Sequence, residues 1–168
     1  MNEEDDELLA HLTADGELFP LMGEMVIAAV ALEYQILQLL RYFISRPGGS
    51  KQSAKVLKQG VIGLMIACRD EVEELPVTAY RARRLGELFD ECGEAFDERN
   101  QYVHGAWMLD VPEDESAAPT LFTLRHRQKD GELLDQEVFA DELRDLVVTF
   151  RRLKTVLRQW MVNMYSRE

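Results

Sequence analysis

The amino-acid sequence predicts a mainly α protein: an up-and-down bundle of four to five helices, with a small antiparallel β-meander inserted before the C-terminal helix. Three observations carry this expectation. Apolar residues recur at three- and four-residue steps through four long segments. Strong breaks separate those segments at Pro47-Gly48-Gly49-Ser50, Pro76 and Gly105. Only residues 106–139 switch to a short, extended pattern.

The first helix is expected from about Leu18 to Ser45, with Met22, Val26, Ala29, Ile36, Leu40 and Phe43 on one face. The second runs from Lys51 to Leu75, carrying Val61, Leu64, Met65, Cys68, Val72 and Leu75, with Gly60 and Gly63 as points of bending or splitting. Pro76 stops it and stands at the start of the third, Val77 to His104, whose stripe is Leu85, Phe89, Cys92, Phe96 and Val103. Gly105 is placed as the C′ residue that ends this helix. Strands are expected at Ala106–Leu109, Thr120–Arg127 and Leu133–Phe139. The Pro112–Pro119 loop and an Asp130-Gly131 turn connect them. The last helix holds its period from Leu143 through Leu146, Val147, Phe150, Leu153, Leu157, Trp160 and Met161 to Met164.

The 168 residues suit a single domain with a core large enough to fold alone, preceded by an acidic N-terminal segment, residues 1–17. The opening Met1–Glu7 is acidic, unlike the basic start of a signal peptide, and no apolar run approaches the roughly 20 residues needed to span a bilayer. The expected location is therefore the cytoplasm, with no membrane partner. Cys68 and Cys92 fall at apolar helical positions and read as buried free thiols. A net charge of −12 argues against broad electrostatic capture of nucleic acid, but not against gripping one or two phosphates in a local cleft. There is no P-loop, no GxGxxG, no nucleophile elbow and no zinc-ligand spacing, so neither a metal nor a cofactor is expected. His11 and His126 sit in surface-type segments.

Arg99 continues the apolar stripe of the third helix, and a buried guanidinium needs a partner or a cleft. Glu33 is the matching oddity on the first helix. Either the two form an ion pair, or both line a functional cleft. A third arrangement puts Met25, Ala29, Leu32, Ile36, Leu39 and Phe43 in the core and Glu33 merely at its edge. Asn100 and His104, four apart, share a helical face, whereas Arg99 and His104 stand about 140° apart on a straight helix. A permanent cation, an amide and an imidazole suit RNA cleavage. The arginine holds the scissile phosphate, the imidazole moves a proton, and Asn100 orients either. A histidine before a C′ glycine also serves simply as a helix cap. Tyr102 and Trp107 are further candidate substrate contacts. Trp107 either stacks a base or anchors the meander.

The segment Glu98-Arg99-Asn100-Gln101-Tyr102-Val103-His104-Gly105-Ala106-Trp107 resembles the signature of the HEPN superfamily: an arginine, commonly followed by a polar residue, and a histidine four to six positions beyond. The resemblance in architecture spans roughly Leu18 to Tyr165. It implies a metal-independent endoribonuclease acting in toxin–antitoxin or anti-phage defence, with Arg99, Asn100 and His104 as catalytic residues. It also implies a homodimer whose two motif helices build one composite cleft, and an antitoxin or other protein partner. A non-catalytic HEPN-like module that binds a nucleotide or a protein is the alternative. Some such toxins carry a tyrosine two residues after the histidine, which a partner enzyme modifies. Ala106 stands there in this chain.

Overall fold

The computed structural model of the chain describes residues 16–46, 59–110, 120–126 and 133–165. Among them are four helices and three strands in the order α1 (Leu18–Ile44), α2 (Val61–Glu74), α3 (Ala79–His104), β1 (Ala106–Asp110), β2 (Thr120–His126), β3 (Leu133–Glu137) and α4 (Ala140–Tyr165). The fold is mainly α, with the antiparallel meander before the last helix, as the sequence predicts. The Pro47–Ser50 and Asp130-Gly131 turns, the Pro112–Pro119 loop, residues 51–58 of the expected second helix and His11 lie outside the described residues.

The boundaries follow local chemistry. Beyond α1, the Ser45 hydroxyl donates to the Tyr42 carbonyl at 2.7 Å, satisfying one of the helix's last open acceptors. Gly60, in extended conformation, precedes α2, so the helix begins after this glycine. Leu75 is extended as a residue before proline must be. A tight bond from Val77 N to Leu75 O at 2.6 Å holds Val77 outside the next helix. Thr78 then caps α3, accepting from Arg81 N, which is why α3 starts at Ala79 instead of Val77. Asp141 and Glu142 in the first turn of α4 complement its dipole.

On α1 the buried stripe is Met25, Ala29, Leu32, Ile36, Leu39 and Phe43, whereas Met22 and Val26 are only half-buried. Widely spaced charges make α1 long and apolar enough to cross a bilayer, with a mean hydropathy of 1.3 over its most apolar window. This corrects the expectation that no segment approaches that length. Its apolar residues lie on more than one face, so Ile27, Val30 and Tyr34 are exposed.

The chain divides into two compact units. One comprises residues up to Val26 together with Phe96–Val147; the other comprises Ile27–Ala95 and Val148 onward. In the second unit, α3 and α4 run antiparallel: Arg81 meets Asn163 and Met164, and Glu91 pairs with Arg152 at 2.7 Å. The Phe43 and Trp160 rings meet edge-on with centroids 6.0 Å apart. Arg69 links α2 to α3 through Asp90 and the Gly86 carbonyl. The Cys68 thiol donates to Ile36 O at 3.9 Å. Cys68 and Cys92 are buried free thiols. Burial pushes both thiols up, Cys92 to about 12.

In the first unit the three strands pair in the order β1-β2-β3, with Ala106 opposite Leu124 and Leu124 opposite Asp135. Strand β3 ends at Glu137, although Val138 N still donates to Leu121 O at 2.8 Å. Leu121 and Thr123, two apart on β2, point into the core. Gly105 is where helix meets sheet. Its N–H closes the last turn on Gln101 O at 3.0 Å. A Cβ at this position would lie 2.5 Å from that same oxygen and 2.9 Å from Thr123 Cβ.

Gly105→Ala is therefore expected to destabilise the protein by about 1–3 kcal/mol, the range for forcing one extra methyl into a packed site. The urea midpoint should fall with the slope unchanged. An unaltered midpoint would mean that the helix end and β2 separate at no cost.

Candidate active site

The last two turns of α3 carry the motif, and they belong to the first unit. Arg99 is half-buried, as its place on the apolar stripe requires. Its Nη1 donates to Asn100 Oδ1 at 2.9 Å. Its Nε is buried and, among the described residues, has no hydrogen-bond acceptor. No carboxylate pairs with this guanidinium among the described residues. The side chain is a cation held in place by a neutral amide, with one donor unfilled.

Asn100 therefore orients the arginine. Asn100 and His104 share a helical face, but no hydrogen bond joins them. His104 is exposed at the end of the helix and has no hydrogen-bond partner among the described residues. The carbonyls that a capping histidine would take are filled otherwise: Gln101 O by Gly105 N, and Tyr102 O by Trp107 Nε1 at 2.9 Å. The imidazole is left to solvent.

Two candidate substrate contacts have structural work of their own. Tyr102 is fully buried, and its hydroxyl donates to Glu142 Oε2 at 3.1 Å. Burial first, and the Glu142 carboxylate second, push its phenol well above the usual range. It offers no surface to a substrate, which corrects that expectation: the ring turns into the core, whereas Glu98, one turn earlier, is exposed. Trp107 is half-buried, with its indole N–H committed to α3, and so anchors β1 to the helix end. Glu33 lies in the second unit, half-exposed beside the buried Leu32 and Ile36 stripe. That is the edge position.

Sequence reasoning missed an acidic neighbour. Glu98 senses Glu142 and Asp145 of α4, and its carboxyl is pushed up, first by partial desolvation and then by these two charges. Glu142 and Asp145, three apart, share a helical face, but nothing in the sequence ties them to Glu98. No group of three or more His, Cys, Asp or Glu residues suited to hold a metal occurs among the described residues. No family model, no curated protein and no solved structure matches the chain.

Two outcomes follow for stability. Tyr102→Phe should cost about 1.5 kcal/mol, the value of one hydrogen bond to a charged acceptor, read from denaturation midpoints. Glu98 has a raised folded pKa, so the folded state keeps its proton in the window just above the ordinary carboxylate range, and stability falls as pH rises through that window. Glu98→Gln should consequently raise Tm at pH 7 and leave it unchanged near pH 4. A lower Tm at pH 7 would show that the carboxylate is favourably solvated.

Proposed function

We propose that the chain is a metal-independent endoribonuclease of the HEPN type, with Arg99, Asn100 and His104 as its catalytic residues. The observation that carries this reading is Arg99. Its guanidinium is held by Asn100, has no carboxylate partner among the described residues and keeps a buried Nε unfilled, one turn before an exposed imidazole. An unfilled buried donor costs about 1–3 kcal/mol, a deficit that an apolar residue at this place on the stripe would not carry.

In this mechanism Arg99 binds the scissile phosphate and stabilises the charge that builds on it. The 2′-oxygen attacks phosphorus, the P–O5′ bond breaks, and a 2′,3′-cyclic phosphate forms. The proton leaves the 2′-hydroxyl and a proton reaches the departing 5′-oxygen, with His104 transferring one of them. Arg99 and His104 project about 140° apart on their helix, so the two residues act together when a second copy supplies the missing partner. The homodimer belongs to the HEPN-type reading itself; separately, in the other unit, α1 presents an exposed apolar stripe of Ile27, Val30 and Tyr34, 71%, 54% and 60% accessible. The reading extends to an RNA substrate, a cytoplasmic location, a role as a toxin or defence component, and an antitoxin or other protein regulator. A non-catalytic module binding a nucleotide or protein is the second reading. It is favoured by Glu98, Glu142 and Asp145, which lie in the same unit as the motif and repel phosphate.

The test is cleavage of a labelled RNA pool by purified protein in excess EDTA. Wild type should generate 2′,3′-cyclic phosphate ends at a rate that the chelator does not change. His104→Ala should lower that rate by about 10²–10⁴-fold, the usual contribution of one acid–base group, with circular dichroism unaltered. Equal cleavage by both proteins would remove His104 from the chemistry.

A further inference from the structure

A second place in the molecule has the chemistry of an anion site, and none of its residues belongs to the motif. In the second unit, a cleft of about 850 Å³ opens between the N-terminal part of α3 and the C-terminal part of α4. It is lined by Tyr80, Arg81 and Arg84 on one side, and by Thr155, Gln159 and Asn163 on the other. The three α4 residues follow one another at four-residue steps and so form one row along the helix. No carboxylate lines the cleft, in a chain that has 31 Asp and Glu against 19 Lys and Arg.

The surrounding segments are similarly biased. Residues 79–86 contain Arg81, Arg83 and Arg84 and no acid; residues 148–165 contain Arg151, Arg152, Lys154 and Arg158 and no acid. Seven of the chain's cations are thus gathered on two helix segments of one unit. Arg81 has only weak acceptors, Met164 Sδ at 3.2 Å and Asn163 O at 3.4 Å. Trp160 Nε1 donates to Arg81 O at 3.3 Å and fixes the backbone from which that side chain springs. Arg84 pairs with Glu87 in an exposed contact, which a phosphate can displace because such pairs contribute little. Lys154 and Arg158 make no ion pair among the described residues. Tyr80, on the rim, is 67% exposed, with the Arg83 guanidinium 5.7 Å from its ring centroid.

We infer that this cleft is a docking site for single-stranded RNA, with Arg81 and Arg84 on successive phosphates, Tyr80 stacking a base, and Gln159 and Asn163 supplying amide contacts. An arginine-lined groove with one aromatic platform is what a single strand needs, and it is tolerant of sequence. The choice of RNA as the strand rests on the ribonuclease reading above; the groove rests on its own residues.

The experiment measures anisotropy of a labelled 2′-O-methyl RNA 12-mer, which lacks the attacking hydroxyl and cannot be cleaved, so binding is scored apart from activity. Arg81→Gln/Arg84→Gln should weaken binding about tenfold and reduce the salt slope by about 1.4, the value for two single-strand phosphate contacts. Tyr80→Ala, at an exposed position that folding does not need, should weaken it by about tenfold, within the range for one lost stack. The equal-charge control Arg41→Gln/Arg144→Gln should change affinity by less than about twofold, since neither residue lines the cleft. His104→Ala should bind as wild type does. Parallel losses in the control and the cleft variants would overturn the proposal. So would displacement by polyglutamate as effective as by RNA at equal charge, which would point to an acidic protein partner. ATP binding as tightly as the 12-mer, with the same arginine dependence, would overturn the strand in favour of a free nucleotide. No cleavage of ordinary RNA by the wild type, alongside intact, Arg81-dependent binding, would sink the ribonuclease reading and leave the groove standing.

Discussion

Helix α3 ends against a β-strand with no room for a Cβ at Gly105, and this contact sets the positions of the residues on both sides of it. The N–H of Gly105 closes the last turn. Two residues later, the chain has reversed enough for Trp107 to reach back to the Tyr102 carbonyl. Helix ends leave carbonyls open, and here a backbone donor and an indole satisfy two of them. That arrangement releases His104 from the capping role its position would otherwise suit. It also turns Tyr102 inward onto Glu142, joining α3 to the first turns of α4. The exposed imidazole and the buried phenol are two consequences of one junction.

The charges near that junction pull in opposite directions. Arg99 favours an anion, whereas Glu98, Glu142 and Asp145 oppose one, and partial desolvation together with the Glu142 and Asp145 charges pushes the Glu98 carboxyl up. A guanidinium cannot shed its charge when half-buried, so its cost is met by neighbours or by a ligand. The amide of Asn100 meets part of it, and the Nε donor remains. In a purely structural role, an apolar residue at this point of the stripe would pack with no such deficit. Retained polar deficits of this kind are where function is sought first.

The helices were legible because their signal is strong: of four periodic stripes, broken by Pro76 and Gly105, three correspond to α1, α3 and α4 within a few residues, and α2 begins only after Gly60, although the expected helix starts at Lys51. The shifts have local causes. Val77 is held in a tight turn and Thr78 caps, so α3 starts late; Gly60 is extended before α2 begins. Strand order was legible because three short strands joined in sequence make a meander by default. Side-chain direction was harder. Periodicity on α1 allowed two stripes, and only packing chose Met25, Leu32 and Ile36 over Met22 and Val26. Tyr102 looked like a motif residue in sequence, yet it faces the core. The Glu98 environment and the Arg81 cleft both need residues more than forty positions apart, and a single sequence carries no signal at that range.

The segregation of charge decides how so acidic a chain can hold an anion at all. A net charge of −12 sets the field at long range, but screening confines exposed charges to about 8 Å at physiological ionic strength. Within that distance the local composition governs. Around Arg81 the polar lining is arginines, amides and hydroxyls with no carboxylate, and the neighbouring acid, Glu87, is already paired with Arg84, so attraction outweighs repulsion for a phosphate there. Near Glu98 it meets both signs, and binding would require the geometry that places an oxygen on Arg99 and nowhere else. Acidic surroundings of this sort weaken indiscriminate association while leaving a well-placed contact intact, which is how repulsion contributes to specificity. On the proposals above, affinity and discrimination would be carried by different residues: the first by the groove around Arg81, the second by Arg99.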